Sequence, residues 1–158
     1  MNTLHPACRI ILVIGPKNSG KTSYLRTIQN RAQHRGLTVG GFLSVSPGNM
    51  LNKKNYLLHA IQTGQEELLA STTPRFGQAI QYCEYYFDPK IFDLGNRILM
   101  SSIQSNMIIL DEFGPLEKQQ TGFYPGFNFL LKHYKGILII ALRPRLQSYL
   151  RNIISGQP

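Results

Sequence analysis

Gly15-Pro16-Lys17-Asn18-Ser19-Gly20-Lys21-Thr22 is the stretch on which the reading of this sequence turns. It satisfies GxxxxGK[ST] in full, directly after the apolar run Ile10-Ile11-Leu12-Val13-Ile14 and just ahead of a helical pattern. Each fixed position has a physical job. Gly15 and Gly20 permit backbone angles that a side chain would forbid. The loop can then turn successive N–H groups inward, towards phosphate oxygens. The helix that follows adds its own free N–H groups and positive dipole end. Lys21 is placed to reach the β- and γ-phosphates of a nucleotide, and Thr22 to offer its hydroxyl to Mg²⁺. Gly15, Pro16, Lys17, Asn18, Ser19, Gly20, Lys21 and Thr22 form the candidate nucleotide-binding set, and Ser23, beyond the motif, is given no part. An ordinary glycine-rich turn leaves the flanking strand and helix unexplained. Asn18, at a variable position, reads equally as a contact to the β–γ bridge or as a solvated loop residue.

The run before this cradle is short, β-branched and stopped by Gly15-Pro16, which is the pattern of a strand buried on both faces of a parallel sheet. A helix is expected from Lys21 to Arg35, with Tyr24, Leu25, Ile28 and Ala32 on its apolar side. Gly36 suits the position after its end. Leu37 to Ser46 reads as a strand containing Gly40-Gly41, and Pro47-Gly48-Asn49 as a turn. Tyr56 to Thr63 and Glu66 to Ser71 read as further strands of an antiparallel meander. Asp88-Pro89 is an N-cap followed by proline at the first helical position. The helix it opens, to Ser105, would bury Ile91, Phe92, Leu94, Ile98, Leu99 and Ile103. Met107 to Leu110 and Ile137 to Leu142 read as buried strands. Phe127 to Tyr134 and Pro144 to Ile154 read as helices. The alternation predicts one α/β domain over residues 1–158 with an antiparallel strand insert.

Met107-Ile108-Ile109-Leu110 runs into Asp111-Glu112, an apolar strand ending in two carboxylates. Carboxylates are costly at the end of a buried strand and are tolerated where a cation or a water needs them. Asp111 fits the Walker B aspartate that holds Mg²⁺ together with Thr22. Glu112 fits a catalytic carboxylate that polarises a water against the γ-phosphate, with Lys21 as its cationic partner at the phosphates. A solvated strand exit with two surface acids is the competing interpretation. In open α/β sheets ligands gather at the carboxyl ends of strands, so Asp111 and the cradle should meet. Glu117 follows Gly114-Pro115 and reads either as a further contact or as an exposed first-turn acid complementing a helix dipole.

The composition excludes several classes. The 158 residues are 42% hydrophobic and 16% charged, which opposes a disordered reading. No apolar run is long enough for a transmembrane helix. Met1 to Arg9 and the short run after it lack a signal-peptide pattern, so a cytoplasmic protein without a membrane partner is expected. Cys8 and Cys83 lie far apart without ligand spacing, and two reduced, partly buried thiols are expected. The net charge of +9 attracts polyanions. Yet Lys53-Lys54 is an isolated pair and Arg143, Arg145 and Arg151 are dispersed. A nucleic-acid partner is therefore not inferred, and a nucleoside triphosphate such as ATP or GTP is the expected one. Asn52-Lys53-Lys54-Asn55 has the wrong fourth residue for a guanine-reading NKxD segment. Nothing in the sequence settles the oligomeric state.

Three landmarks coincide in order: the cradle, Gly36-Leu37-Thr38-Val39-Gly40-Gly41-Phe42-Leu43, and Ile108-Ile109-Leu110-Asp111-Glu112-Phe113-Gly114-Pro115-Leu116-Glu117. Together they resemble the nucleoside-triphosphatase family of the thermophilic type, the family of the human cancer-related nucleoside-triphosphatase. The resemblance spans roughly residues 9–145. It implies a P-loop NTPase fold with a RecA-like, mostly parallel sheet flanked by helices. It also implies Mg²⁺-dependent hydrolysis of nucleoside triphosphates with little base selectivity, carried by Lys21, Thr22, Asp111 and Glu112. Many members of that family carry another strand after the last helix, where this sequence reads to Pro158. Many also have a polar residue where this chain reads Ala141-Leu142-Arg143-Pro144-Arg145, so Arg143 or Arg145 is the candidate replacement for a γ-phosphate sensor.

Two other functions fit the same motifs. A small-molecule kinase would need an acceptor pocket, to which the segment Gly122-Phe123-Tyr124-Pro125-Gly126-Phe127 could contribute. Plain aromatic packing over the core is the alternative role for that segment. A non-catalytic adaptor would instead order its loops around the γ-phosphate to act on a partner.

Overall fold

The computed structural model describes residues 8–47, 55–74, 77 and 79–156. Its strands are β1 (Arg9–Ile14), β2 (Val39–Val45), β3 (Asn55–Ala60), β4 (Glu66–Ser71), β5 (Ile80–Tyr82), β6 (Tyr85–Phe87), β7 (Met107–Phe113) and β8 (Ile137–Leu142). Its helices are α1 (Lys21–His34), α2 (Pro89–Ser101), α3 (Pro115–Lys118), α4 (Tyr124–His133) and α5 (Gln147–Ile154). The strands form one eight-stranded sheet in the order β1-β8-β7-β2-β3-β4-β6-β5. β1, β8, β7 and β2 run parallel. From β2 onward, β3, β4, β6 and β5 add antiparallel. The expected α/β architecture with an antiparallel insert is therefore present, and the insert is larger than the meander read from the sequence.

Each face of the parallel part is covered, which is why β7 and β8 read as unbroken apolar runs. Ile108 and Leu110 of β7, with Leu138, Ile140 and Leu142 of β8, pack against Leu99, Phe127, Leu130 and Leu150 of α2, α4 and α5. The alternate residues Met107, Ile109, Ile139 and Ala141 face Leu25 and Ala32 of α1. Tyr24 departs from the expected apolar side of α1: it is 58% exposed, and the buried stripe is Lys21, Leu25, Gln29 and Ala32.

β1 also departs from expectation. It is an edge strand, paired with β8 alone, and Ile11 and Ile14 are exposed. A β-branched apolar run shows strand character, but the number of neighbours is set by the rest of the sheet. Other boundaries moved for local reasons. The strand expected over Tyr56 to Thr63 is Asn55–Ala60, because residues 61–63 turn towards Gly64. Asp88 caps α2 as expected, its side chain accepting the Lys90 N–H at 3.0 Å, but the helix tightens into a 3₁₀ turn over Ser102–Gln104. There Ser102, fully buried, accepts the Gly41 N–H and donates to the Ile98 carbonyl. α4 starts at Tyr124 rather than Phe127, with Pro125 in its first turn. The last helical segment opens as a 3₁₀ turn over Pro144–Leu146. Cys8 is buried and Cys83 is exposed, both free, so only the first matches the expected partly buried thiols. Gly48 and Asn49 of the expected turn, and Lys53-Lys54, lie outside the described residues. No helix among the described residues is long and apolar enough to cross a membrane.

Candidate active site

β1, β8, β7 and β2 all present their carboxyl ends to one rim of the sheet, and the cradle closes over that rim. Gly20 caps α1 with φ +87°, a left-handed conformation in which glycine is free of strain. Gly15 does not owe its place to backbone angles as expected. It is buried, and a Cβ there would meet the Ser19 hydroxyl, so a side chain would force Ser19 to move and crowd the Lys21 stem. Asn18 also has positive φ, at 60°. Pro16, Lys17, Asn18, Ser19 and Gly20 form the exposed rim of the loop. α1 has no side-chain cap and no acid in its first turn, which leaves its amino end open to an anion.

The predicted catalytic and metal residues meet beneath this loop. Thr22 Oγ1 donates to Asp111 Oδ2 at 2.8 Å. The same carboxylate oxygen accepts the Ser44 N–H at 3.0 Å, and Thr22 also reaches the Ser44 carbonyl at 3.3 Å. Asp111 is 2% exposed, and burial pushes its carboxyl up to about 6 against the pull of those two hydrogen bonds. A hydroxyl beside a carboxylate is a hard oxygen donor pair, which fits Mg²⁺. Among the described residues no group of three or more His, Cys, Asp or Glu is placed to hold a metal ion. A cation here would complete its shell with water and phosphate oxygens, as Mg²⁺ commonly does.

Lys21 is buried, and its Nζ donates to the carbonyls of Gly15 and Pro16, each at 2.9 Å. It also stands 3.4 Å from Glu112 Oε2. Arg143 approaches the other oxygen of that carboxylate, with Nε 3.3 Å from Oε1. Glu112 therefore lies between two cations. A bulge in the β7–β8 pairing puts it there: Asp111 pairs with Ala141 and Phe113 with Leu142, so Glu112 is the extra residue. The peptide joining Asp111 and Glu112 is cis. Arg145 is exposed and, with the cradle, Asp111, Glu112 and Arg143, lines one cavity.

Glu117 is not the exposed first-turn acid that was one of its two expected roles, although it does line the site cavity. It is 4% exposed, and it accepts the N–H groups of Gly114 at 2.8 Å and Phe123 at 2.9 Å. It ties α3 to the segment before α4. The aromatic segment 122–127 divides: Phe127 packs on Phe113 in the core, whereas Phe123 forms part of the cavity wall. Two participants escaped the sequence reading. Ser44 had no signal beyond its place near the end of a strand. Glu84 on the β5–β6 hairpin is paired with Lys17 at 3.0 Å, and the hydrogen bond and charge of that ammonium hold its carboxyl below the usual range.

Comparison with known proteins agrees with the fold. A family model described as NTPase matches residues 10–157. The nucleoside-triphosphatase THEP1 of Pyrococcus abyssi is 26% identical over 145 residues, covering 87% of this chain and 76% of that protein. That of Thermococcus kodakarensis is 24% identical over 140 residues, covering 84% and 76%. Among solved structures, THEP1 from Aquifex aeolicus superposes with a TM-score of 0.68 at 18% identity, over 96% of this chain and 85% of that one. The human cancer-related nucleoside triphosphatase superposes with a TM-score of 0.69 at 19% identity, over 92% and 84%.

Proposed function

The chain belongs to the NTPase family, and from that premise we propose that it is a Mg²⁺-dependent nucleoside-triphosphatase of low base selectivity, working as one domain in the cytoplasm. The observation that carries this reading is the convergence of Thr22, Asp111, Lys21 and Glu112 under one phosphate-sized loop. Lys21 Nζ now holds two backbone carbonyls of the loop. A triphosphate would offer it charged acceptors in exchange, and charge-assisted hydrogen bonds are the stronger kind. Thr22 and Asp111 would hold Mg²⁺, which supplies charge neutralisation at the β- and γ-phosphates.

Glu112 is the group that handles the proton. It takes the proton of a water whose oxygen bonds to the terminal phosphorus, while the bond from that phosphorus to the bridging oxygen breaks and the diphosphate leaves. Arg143, beside the same carboxylate, orients it and faces the developing charge. The scattered positive charge attracts the polyphosphate rather than marking a nucleic-acid face.

No base-reading feature accompanies the cradle among the described residues, so most binding energy comes from the triphosphate. Phosphate release from ATP, GTP, CTP and UTP should lie within about tenfold, a discrimination of about 1.4 kcal/mol, and should require Mg²⁺. A preference above about a hundredfold, near 2.8 kcal/mol, would reveal a specificity pocket and overturn the low-selectivity reading. Absence of release with all four would overturn the hydrolase.

A further inference from the structure

The cavity at the cradle does not end at Glu112. It encloses about 230 Å³ and continues past the Walker B strand into an apolar chamber formed by Leu69, Ala70, Phe87, Phe92, Leu116 and Phe123. Strand register explains the placement. β4 runs in the same direction as β2, so its carboxyl end, with Ala70 opposite Tyr56 and Phe87, reaches the same rim as Ser44. At about 4.8 Å per strand, β4 lies roughly 14 Å from β7 along the rim. A hydrolase needs room for one water beyond the terminal phosphate; the six apolar side chains at this end of the cavity offer water no hydrogen-bond partner, and Tyr56 and Tyr85 line the stretch between them and the cradle.

The walls are built and held. The rings of Phe123, Phe92 and Phe87 follow one another with centroid separations of 5.1 and 5.6 Å, and Phe42, in the core behind them, backs Phe123 at 4.6 Å. Gly95 of α2 admits Phe123 so closely that any side chain there would collide with its ring. The Phe123 N–H is fixed by the buried carboxylate of Glu117. Asn96 holds both sides of the segment, donating to the Gly122 carbonyl and accepting the Gly126 N–H. Apolar cavities of this kind take apolar ligands rather than water, and one polar group at the mouth fixes orientation.

We propose that this chamber is a second ligand subsite, for a planar aromatic molecule bearing one hydroxyl, and that the hydroxyl can replace water as the phosphoryl acceptor. The proposal rests on the hydrolase reading for where the terminal phosphate lies. In the step, the hydroxyl oxygen bonds to the terminal phosphorus and the bond from phosphorus to the bridging oxygen breaks. The hydroxyl proton passes to the Glu112 carboxylate. The products are an aryl phosphate and the nucleoside diphosphate.

The probe is 2-naphthol, whose own fluorescence reports binding. It should bind the nucleotide-free protein saturably, and with MgATP should yield 2-naphthyl phosphate. Ala70→Leu fills the chamber without touching the cradle. It should weaken naphthol binding at least tenfold and abolish naphthyl phosphate, while phosphate release from MgATP alone stays within twofold. Phe92→Leu, which alters the wall by a smaller change, should weaken binding without loss of release and serves if Ala70→Leu fails to fold. No saturable binding to the wild-type protein overturns the subsite. Binding without naphthyl phosphate, in a protein that releases phosphate, overturns the acceptor role. Absence of phosphate release sinks the hydrolase reading instead, and the binding measurement still decides the subsite.

Discussion

Thr22 and Asp111, 89 residues apart, meet at 2.8 Å between hydroxyl and carboxylate oxygens, and the Ser44 N–H joins the same carboxylate oxygen at 3.0 Å. The three groups come from the first turn of α1, the end of β7 and the end of β2. The contact therefore reports the assembled sheet rather than any local segment.

The linkage of Asp111 to pH follows from its burial. Its folded carboxyl is pushed up to about 6 from an ordinary 3.8, so the folded protein binds this proton more tightly than the unfolded chain does. The stability it contributes is fully present below about pH 4 and is lost as pH rises through about 6. About two pH units correspond to about 3 kcal/mol. Asp111→Asn does not titrate, so in EDTA the variant should gain on the wild type by roughly that amount between about pH 4 and about pH 7. Denaturant titrations across that range check it, and a constant difference would refute the burial argument. With Mg²⁺ and nucleotide present the order should reverse, because a neutral amide is a poorer ligand for a hard cation.

Glu112→Gln keeps size and hydrogen bonding but removes the proton acceptor. Single-turnover hydrolysis should fall by roughly 10²–10⁴-fold. Nucleotide binding should hold or tighten, since one negative charge near the γ-phosphate is gone. Wild-type turnover in this variant would make Glu112 a bystander.

Lys21→Ala removes the buried cation while leaving the two carbonyls it held free to meet water. Nucleotide affinity or turnover should collapse with an unchanged circular dichroism spectrum. Unaltered turnover in the folded variant would contradict the assignment of the cradle.

Glu117 is expected to matter for stability rather than chemistry. Glu117→Ala orphans two buried N–H groups, at about 1–3 kcal/mol each. Glu117→Gln retains one oxygen and should lose about half as much. Equal stability of both variants and the wild type, measured by denaturation, would show that the clamp between Gly114 and Phe123 is dispensable.

Several features were legible along the chain because their causes are local. The glycine-lysine-threonine spacing from Gly15 to Thr22 dictates a loop leading into a helix. Asp88 before Pro89 starts α2 through a hydrogen bond two residues away. The apolar runs of β7 and β8 announce strands covered on both faces. A carboxylate pair closing such a run also stands out without any knowledge of its neighbours, because ionised groups there need a reason.

What stayed hidden depends on partners distant in the sequence. The run Ile10–Ile14 is as apolar as the central strands, yet β1 lies at the edge, because edge or centre is decided by which other strands pair. Glu117 resembles an exposed first-turn acid until the backbone of Phe123 folds over it. Ser44 and Glu84 carry no local signal; they acquire their partners Asp111 and Lys17 only when β2 lies beside β7 and the β5–β6 hairpin swings to the cradle. Local sequence thus determined the chemical groups and the elements that bear them, through backbone geometry and hydrophobic period. The tertiary structure decided which groups meet, which are buried and where the cavity leads, because those depend on pairing across tens of residues.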